Sequence, residues 1–385
     1  MSAAILFEST DGTVVLLDLP RSIEEAQHLA DVTLSESPSL TTNSCPGGTS
    51  RTRRLISSTP PETPFATPEP KNDPSPLPAA AQVAQLMIQA SVTRALEELG
   101  TNYSGPYLLS RQLSRQCIIA DGGKAMDDSS YPHTCGLVSC STTAEGCSSN
   151  QDLGPERSYY FPPDSRYVLG TIQETKELVL QSVPDFDVIV LDPPWPNRSA
   201  KRKRKGYKVA ATTDEIRALL SDVPIPSLLA RDGLVAIWVT NKPAFSDLLT
   251  SPRDGILSEW GLELVGEWVW LKITTSAQPI LPIDSAHRKP WEPLLIAQRK
   301  GFKRAFPPSW RRRVIVSVPD THSRKPNIRD LVSPMLPPRP RGLEIFARNL
   351  TAGWWAWGDD VLHFQERSNW VMVGSDSLPT GCQSE

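Results

Sequence analysis

From about residue 156 onward, short and mostly continuous apolar runs recur along the chain: RYVLG, FDVIVLD, GLVAIWVT, LELVGEWVWLKI, EPLLIAQ, RVIVSV and GLEIFA. Continuous runs, rather than strict alternation, are how strands covered on both faces read. Between them, TKELVLQSV, TTDEIRALLSDV, PAFSDLLTSPRDGILSEWG and NIRDLVSPM carry helical spacing, and Thr212 to Glu215 has the pattern of a capping box. Strands alternating with helices predict an α/β layered fold around a mostly parallel sheet. Ligands of such sheets sit at the carboxyl ends of the strands, so the loops there are where chemistry is sought.

The N-terminal half has a different rhythm. ILFESTDGTVVLLDLP predicts two short strands around a turn at Asp11-Gly12, followed by a helix capped by Ser22. Residues 33–80 are rich in Ser, Thr and Pro, with eight prolines between Pro60 and Pro78, and read as a disordered linker. AAAQVAQLMIQASVTRALEELG then predicts a helix ending at Gly100. The expected organisation is a β/helix element over 1–32, the linker over 33–80, a helix plus flexible insertion over 81–155, a catalytic domain over 156–372 and a disordered tail over 373–385.

Composition narrows the choice of partners. The chain has 385 residues and a net charge of −3, so any polyanion must be met by a local basic patch rather than by bulk charge. No apolar stretch reaches the roughly 20 residues of a membrane span, and the N-terminus lacks a signal-peptide pattern, so a soluble intracellular protein with no membrane partner is expected. Six cysteines in so long a chain do not make a disulfide framework. His133, Cys135, Cys140 and Cys147 offer zinc-type ligands, but their spacing matches no close-paired pattern; a flexible insertion is the expectation, and no metal is assigned.

The strand FDVIVLD runs into Asp192, Pro193, Pro194 and Trp195. Successive prolines stiffen the chain and supply no N–H, so the Pro193 carbonyl is expected as an unpaired acceptor beside the Asp192 carboxylate. Two fixed acceptors suit an amino group with two hydrogens, and Trp195 offers a flat surface on which a planar base can stack. Taken alone, the same residues are equally a strand end and a turn with Trp195 in the core.

D-P-P-W after an apolar strand is the signature of amino-methyltransferases of adenine and cytosine. With VIVLDPPWPNRSAKRKRKGY, AIWVTNKP, EWVWLKIT, IDSAHRKPWE, VIVSVPDTHSRKP and LEIFARNLTAGWWAWGDDVLHFQ in order, the chain resembles the MT-A70 family of adenine methyltransferases, closest to the methyltransferase-like protein 4 subfamily. The resemblance implies a Rossmann-like fold using S-adenosylmethionine, circularly permuted so that the D-P-P-W strand precedes the cofactor strand, with a small N-terminal extension. It implies that Asp192, Pro193, Pro194 and Trp195 hold the target adenine and that Asp192 also faces the cofactor's amino group. Lys325 would meet the cofactor carboxylate, Arg348 and Asn349 the ribose, and Thr171, Ile172, Asp359 and Asp360 the adenine and ribose. Relatives commonly have Asp at the place of Thr171, and Asn followed by Gln or Glu at the places of Asp359 and Asp360; a carboxylate cannot donate as an amide does.

The basic run Lys201, Arg202, Lys203, Arg204 and Lys205, with Tyr207 after it, is expected to flank the base pocket and contact phosphates, or to serve as a nuclear import signal. His287, Arg288, Lys289 and Trp291 form a second basic-aromatic cluster, of which Arg288 and Lys289 are assigned to nucleic acid and Trp291 is as much a core candidate as a stacking one. The expected reaction is methylation of the 6-amino group of adenine, with RNA favoured (adenosine or 2′-O-methyladenosine, as in a small nuclear RNA) and DNA as the alternative. Also weighed are a non-catalytic nucleic-acid-binding member of the family, and a protein glutamine methyltransferase, whose motif usually starts with Asn and ends with Tyr. A nuclear, monomeric protein is expected.

Overall fold

The computed structural model describes residues 2–29, 51–66, 77–113, 136–139, 159–196, 212–285 and 288–374. The apolar hairpin forms β1 (Ile5–Glu8) and β2 (Val14–Leu17), and β3 (Arg51–Ser57), β4 (Gln112–Leu113) and β5 (Gly136–Ser139) follow. The C-terminal half contributes β6 (Arg166–Leu169), β7 (Phe186–Leu191), β8 (Leu229–Trp238), β9 (Leu262–Lys272) and β10 (Trp291–Arg299). It continues with β11 (Arg312–Ser317), β12 (Gly342–Ile345), β13 (Trp355–Gly358) and β14 (Trp370–Gly374). Helices are α1 (Leu19–Glu25), α2 (Ala79–Asn102), α3 (Ile172–Ser182), α4 (Thr213–Asp222), α5 (Ile225–Leu228), α6 (Pro243–Thr250) and α7 (Ile256–Glu259).

An 11-stranded sheet runs in the order β1-β2-β11-β9-β10-β8-β7-β12-β13-β6-β5, and β14-β3-β4 make a smaller one. The strands β8, β7, β12, β13 and β6 are mutually parallel, as expected. β10 is not: it lies antiparallel to both β9 and β8. An apolar run records that both faces are covered but not which way the strand points. β13, WAWG, is a further strand beyond the expected set.

Alternation along the central strands sorts the core. Ile189, Leu191, Val235 and Ile237 pack under α3, α4, α6 and α7 through Val179, Leu220, Phe245 and Ile256. On the other face, Val188, Val190, Leu234, Ala236 and Trp238 meet Leu19 and Ile23 of α1, Leu55 of β3 and Trp370 of β14. Val92, Ala95 and Leu99 of α2 cover Val269, Leu271, Val314 and Val316. The N-terminal extension is therefore part of the main core.

Several expectations are corrected. The stretch 33–80 contains β3, which pairs antiparallel with β14 and buries Leu55 to 1% exposure. One well-placed apolar residue and a ladder partner distant in sequence outweigh the polar composition around them. Arg54 Nε donates to Glu24 Oε2 at 2.8 Å and Leu55 N–H to Glu24 Oε1 at 2.8 Å, tying β3 to α1. α1 is capped by Asp18, which accepts from Arg21 N–H, while Ser22 donates to the Leu19 carbonyl from inside the helix. The expected single helix over PAFSDLLTSPRDGILSEWG is split into α6 and α7 around Pro252. The insertion contributes β5, antiparallel to β6. His133, Cys135, Cys140, Cys147 and the tail beyond 374 lie outside the described residues. Among the described residues, no group of side chains could hold a metal ion, and no helix is long and apolar enough to cross a membrane.

Candidate cofactor and base site

Parallel pairing places the expected site residues along one edge of the sheet. Leu191 is in register with Ile345, Ile345 with Trp357, and Gly358 with Leu169. The residues that follow these strand ends, Asp192, Phe346 to Asn349, Asp359 with Asp360, and Thr171, therefore stand in a row. The reversed direction of β10 brings its first residues to the same edge, with Glu292 opposite Trp270 and Leu294 opposite Trp238.

Lys325 reaches this row from the loop after β11. Its Nζ lies 3.2 Å from Asp192 Oδ1 and 3.1 Å from Glu292 Oε2. Glu292 is also bonded to Lys272 at the end of β9. Burial opposes the charged form of each group, and the facing charges outweigh it: Lys325 and Lys272 hold the Glu292 carboxyl down at about 2, and Asp192 and Glu292 push the Lys325 ammonium up. Glu344, on β12 opposite Val190, shows the contrary case. Burial, with the Asp192 charge adding to it, pushes its carboxyl up to about 8. Lys325, Asn327, Glu344 and Asn349 line one cleft, whose apolar walls are Val190, Trp238, Ile328 and Trp354.

Two non-glycine residues at this edge adopt left-handed backbone, Phe346 at φ 60° and Ser323 at φ 74°. The first turns the chain out of β12 just before Arg348 and Asn349, and the second does so just before Lys325. Backbone conformations of this kind persist where surrounding contacts over-determine them.

The geometry of D-P-P-W departs from expectation at one carbonyl. Asp192 is partly buried and faces Lys325. The Pro193 carbonyl is not unpaired: it accepts from Trp195 N–H at 2.8 Å, which leaves one lone pair for a ligand. Trp195 is half-buried, its Nε1–H donating to the Trp238 carbonyl at 2.8 Å and its ring 5.0 Å from that of Phe245. One edge of the indole is fixed in the core and part of it is accessible. Lys242 Nζ donates to the Pro196 carbonyl at 2.7 Å.

Other assignments change. Thr171 is the N-cap of α3, in a reciprocal capping box with Glu174. Ile172 is 2% exposed in the core, so only its backbone can face a ligand. Arg348 Nε lies 3.6 Å from Asp360 Oδ2, which brings together two residues expected separately at the ribose. Asn349 lines the cleft, and Asp359 follows β13 at the same edge. Arg288 is exposed, whereas the Lys289 Nζ is buried 5.4 Å from the Trp291 ring and its pKa is lowered by burial. Lys289 is thus turned inward and is not a phosphate contact in this conformation. Trp291, at 2% exposure, is core. Lys201, Arg202, Lys203, Arg204, Lys205, Tyr207 and His287 lie outside the described residues.

Glu292, Glu344, Lys272 and Lys242 are functional candidates that motif reasoning passed over. For the two glutamates the sequence signalled burial though not position, because a glutamate inside an apolar strand, as in WEPLLIAQ and GLEIFA, has no reason to be buried unless it meets a partner or a ligand.

Comparison with known proteins fits this geometry. The MT-A70 family model matches residues 186–360, from β7 through Asp360. A protein of Pyricularia oryzae named N6-methyladenosine RNA methyltransferase MTA1 is 82% identical over 383 residues, 99% of this chain and 100% of its own. The chain belongs to the MT-A70 family. A Cryphonectria parasitica protein of the same name is 46% identical over 369 residues, 96% of this chain and 94% of its own. Human N(6)-adenine-specific methyltransferase METTL4 is 36% identical over 231 residues, 57% of this chain and 47% of its own. Two of these MT-A70 relatives thus match through the N-terminal half as well.

MT-A70 enzymes imply S-adenosylmethionine, and the donor set suits it. An ammonium group calls for the Asp192 carboxylate, a carboxylate for Lys325, and ribose hydroxyls for Asn349 and the Arg348–Asp360 pair.

Proposed function

We propose that this MT-A70 protein methylates the 6-amino group of adenosine in RNA. The observation that carries the reading is the Asp192–Lys325–Glu292 constellation of the D-P-P-W strand end, with Lys325, which lines the cleft, 3.2 Å from Asp192 and 3.1 Å from Glu292. RNA is preferred over DNA because both relatives matched over nearly their whole length are named RNA methyltransferases. Adenosine or 2′-O-methyladenosine of a small nuclear RNA is the proposed target class.

S-adenosylmethionine supplies an electrophilic methyl, so the chain's task is alignment and exclusion of water rather than activation by a metal or a covalent nucleophile. Asp192 Oδ and the remaining Pro193 lone pair accept the two hydrogens of the target amine. This draws nitrogen electron density away from the ring and fixes the direction of attack. Trp195, held by its bond to Trp238, stacks on the base; a base within a duplex must first be unstacked to reach it. Lys325 is shared between Asp192 and Glu292, which hold its ammonium charged and fixed beside the target amine. The proton released from the methylated amine passes to water at the open side of the cleft.

The basic run Lys201 to Lys205 is proposed to contact the RNA backbone and to direct the chain to the nucleus, and the chain is proposed to act as a monomer. The substrate class is tested by methylating RNA and DNA oligomers of identical base sequence under equal conditions. Transfer to RNA at least tenfold faster is expected; equal or faster transfer to DNA would overturn the RNA assignment.

A further inference from the structure

Beneath Lys325 lies a buried charge cluster that no motif announces. Asp320, 0% exposed, receives Arg324 Nη1 at 2.7 Å and lies 3.8 Å from Arg111 Nη1; the two arginines are 2% and 3% exposed. Ser58 adds its N–H at 2.7 Å and its hydroxyl at 3.1 Å to the same carboxylate. Arg111 also donates to the carbonyls of Val318 at 2.9 Å, Pro319 at 3.0 Å and Ser58 at 3.2 Å. Arg324 donates to the Ile56 carbonyl at 2.7 Å and stacks on Phe364 at 4.6 Å.

The cluster joins parts of the chain that are remote in sequence. Asp320 and Arg324 sit on the loop after β11 that carries Lys325, whereas Ile56 and Ser58 lie at the end of β3. Arg111 directly precedes β4, which pairs with β3. Both N-terminal segments lie outside the 186–360 stretch that the family model matches. A buried arginine–carboxylate–arginine group is a poor source of stability, because desolvation offsets most of its attraction. What it provides is geometry: the planar forks of two guanidiniums fix loop carbonyls in place.

We propose that Arg111 is a positioning residue for the cofactor site: by gripping the backbone of Val318 and Pro319 and flanking Asp320, it holds the loop that presents Lys325 to Asp192 and Glu292. This rests on the S-adenosylmethionine reading of the cleft. The N-terminal half thereby sets the geometry of the cofactor's carboxylate contact.

The test uses calorimetric binding of S-adenosylhomocysteine to the full chain, with circular dichroism and thermal melting as fold controls. Arg111→Ala should weaken binding about tenfold, a coupling of the size carried by packed polar networks, and Arg111→Lys less so. In a Lys325→Met background the same Arg111 substitutions should cost under about twofold, since the residue through which they act is gone. Wild-type affinity in folded Arg111→Ala, or a penalty undiminished in the Lys325→Met background, would overturn the proposal. If Arg111→Ala does not fold, Arg111→Lys decides by the same two comparisons. Absence of binding by the wild type would instead strike the cofactor reading itself and, with it, this inference.

Discussion

At the scale of single residues, the site is a balance of carboxylates around one ammonium. Glu292, with two lysines against it, and Glu344, with no cation bonded to it among the described residues, are shifted in opposite directions, and this gives a pH signature. Glu344 is raised from the ordinary carboxyl value of 4.5 to about 8, so over that range the folded state holds a proton that the unfolded state has lost. Its contribution to stability is full below about pH 4.5 and is lost as pH rises through about 8. Glu292, lowered to about 2, contributes above about pH 4.5 and is lost only as pH falls towards 2. Glu344→Gln, which is neutral throughout, should therefore gain stability relative to the wild type between pH 5 and 9. Parallel melting curves across that range would refute the shift. Trp195 has a separable test in steady-state kinetics on RNA. Trp195→Ala should lower kcat/KM roughly tenfold or more, in line with about 1–3 kcal/mol for a base–aromatic stack, while Trp195→Phe keeps much of it. Equal losses in the two variants would assign the effect to the lost bond to Trp238 rather than to stacking.

At the scale of elements, the strand ends carrying Asp192, Lys325 and Asn349 were legible because an apolar run followed by a polar motif marks both the strand and its active end. Glu292 was not, because its position depends on β10 running antiparallel, which one sequence does not encode locally. β13 was hidden because it is only four residues, WAWG, ending in a glycine that weakens its strand pattern. β3 was hidden by its neighbours, since composition averaged over a long window conceals a single ladder-forming segment. Leu55 tests that correction. Leu55→Ala should destabilise by about 2–5 kcal/mol in urea melts, as for a buried leucine in a packed core. A change within about 0.5 kcal/mol, typical of an exposed position, would return the segment to the status of linker.

At the scale of the whole molecule, the N-terminal extension does three things: the β1–β2 hairpin adds to the sheet beside β11, α1 and β3 roof the face opposite the main helices, and the segments around Ser58 and Arg111 hold the lysine loop. Removing residues 1–29 should expose the apolar surface now under Leu19 and Ile23 and yield aggregated protein; a soluble, cooperatively melting truncation would show that the extension is dispensable to the core. The central claim is that this edge of the sheet methylates the adenine 6-amino group. Transfer of labelled methyl from S-adenosylmethionine to an RNA oligomer, with nucleoside analysis of the product, tests it most directly when run beside an Asp192→Ala control. The account predicts labelled N6-methyladenosine from the wild type, reduced at least about a hundredfold in the control, as when a preorganised polar partner of the reacting group is removed. Label in another nucleoside, or N6-methyladenosine formed equally by Asp192→Ala, would contradict it.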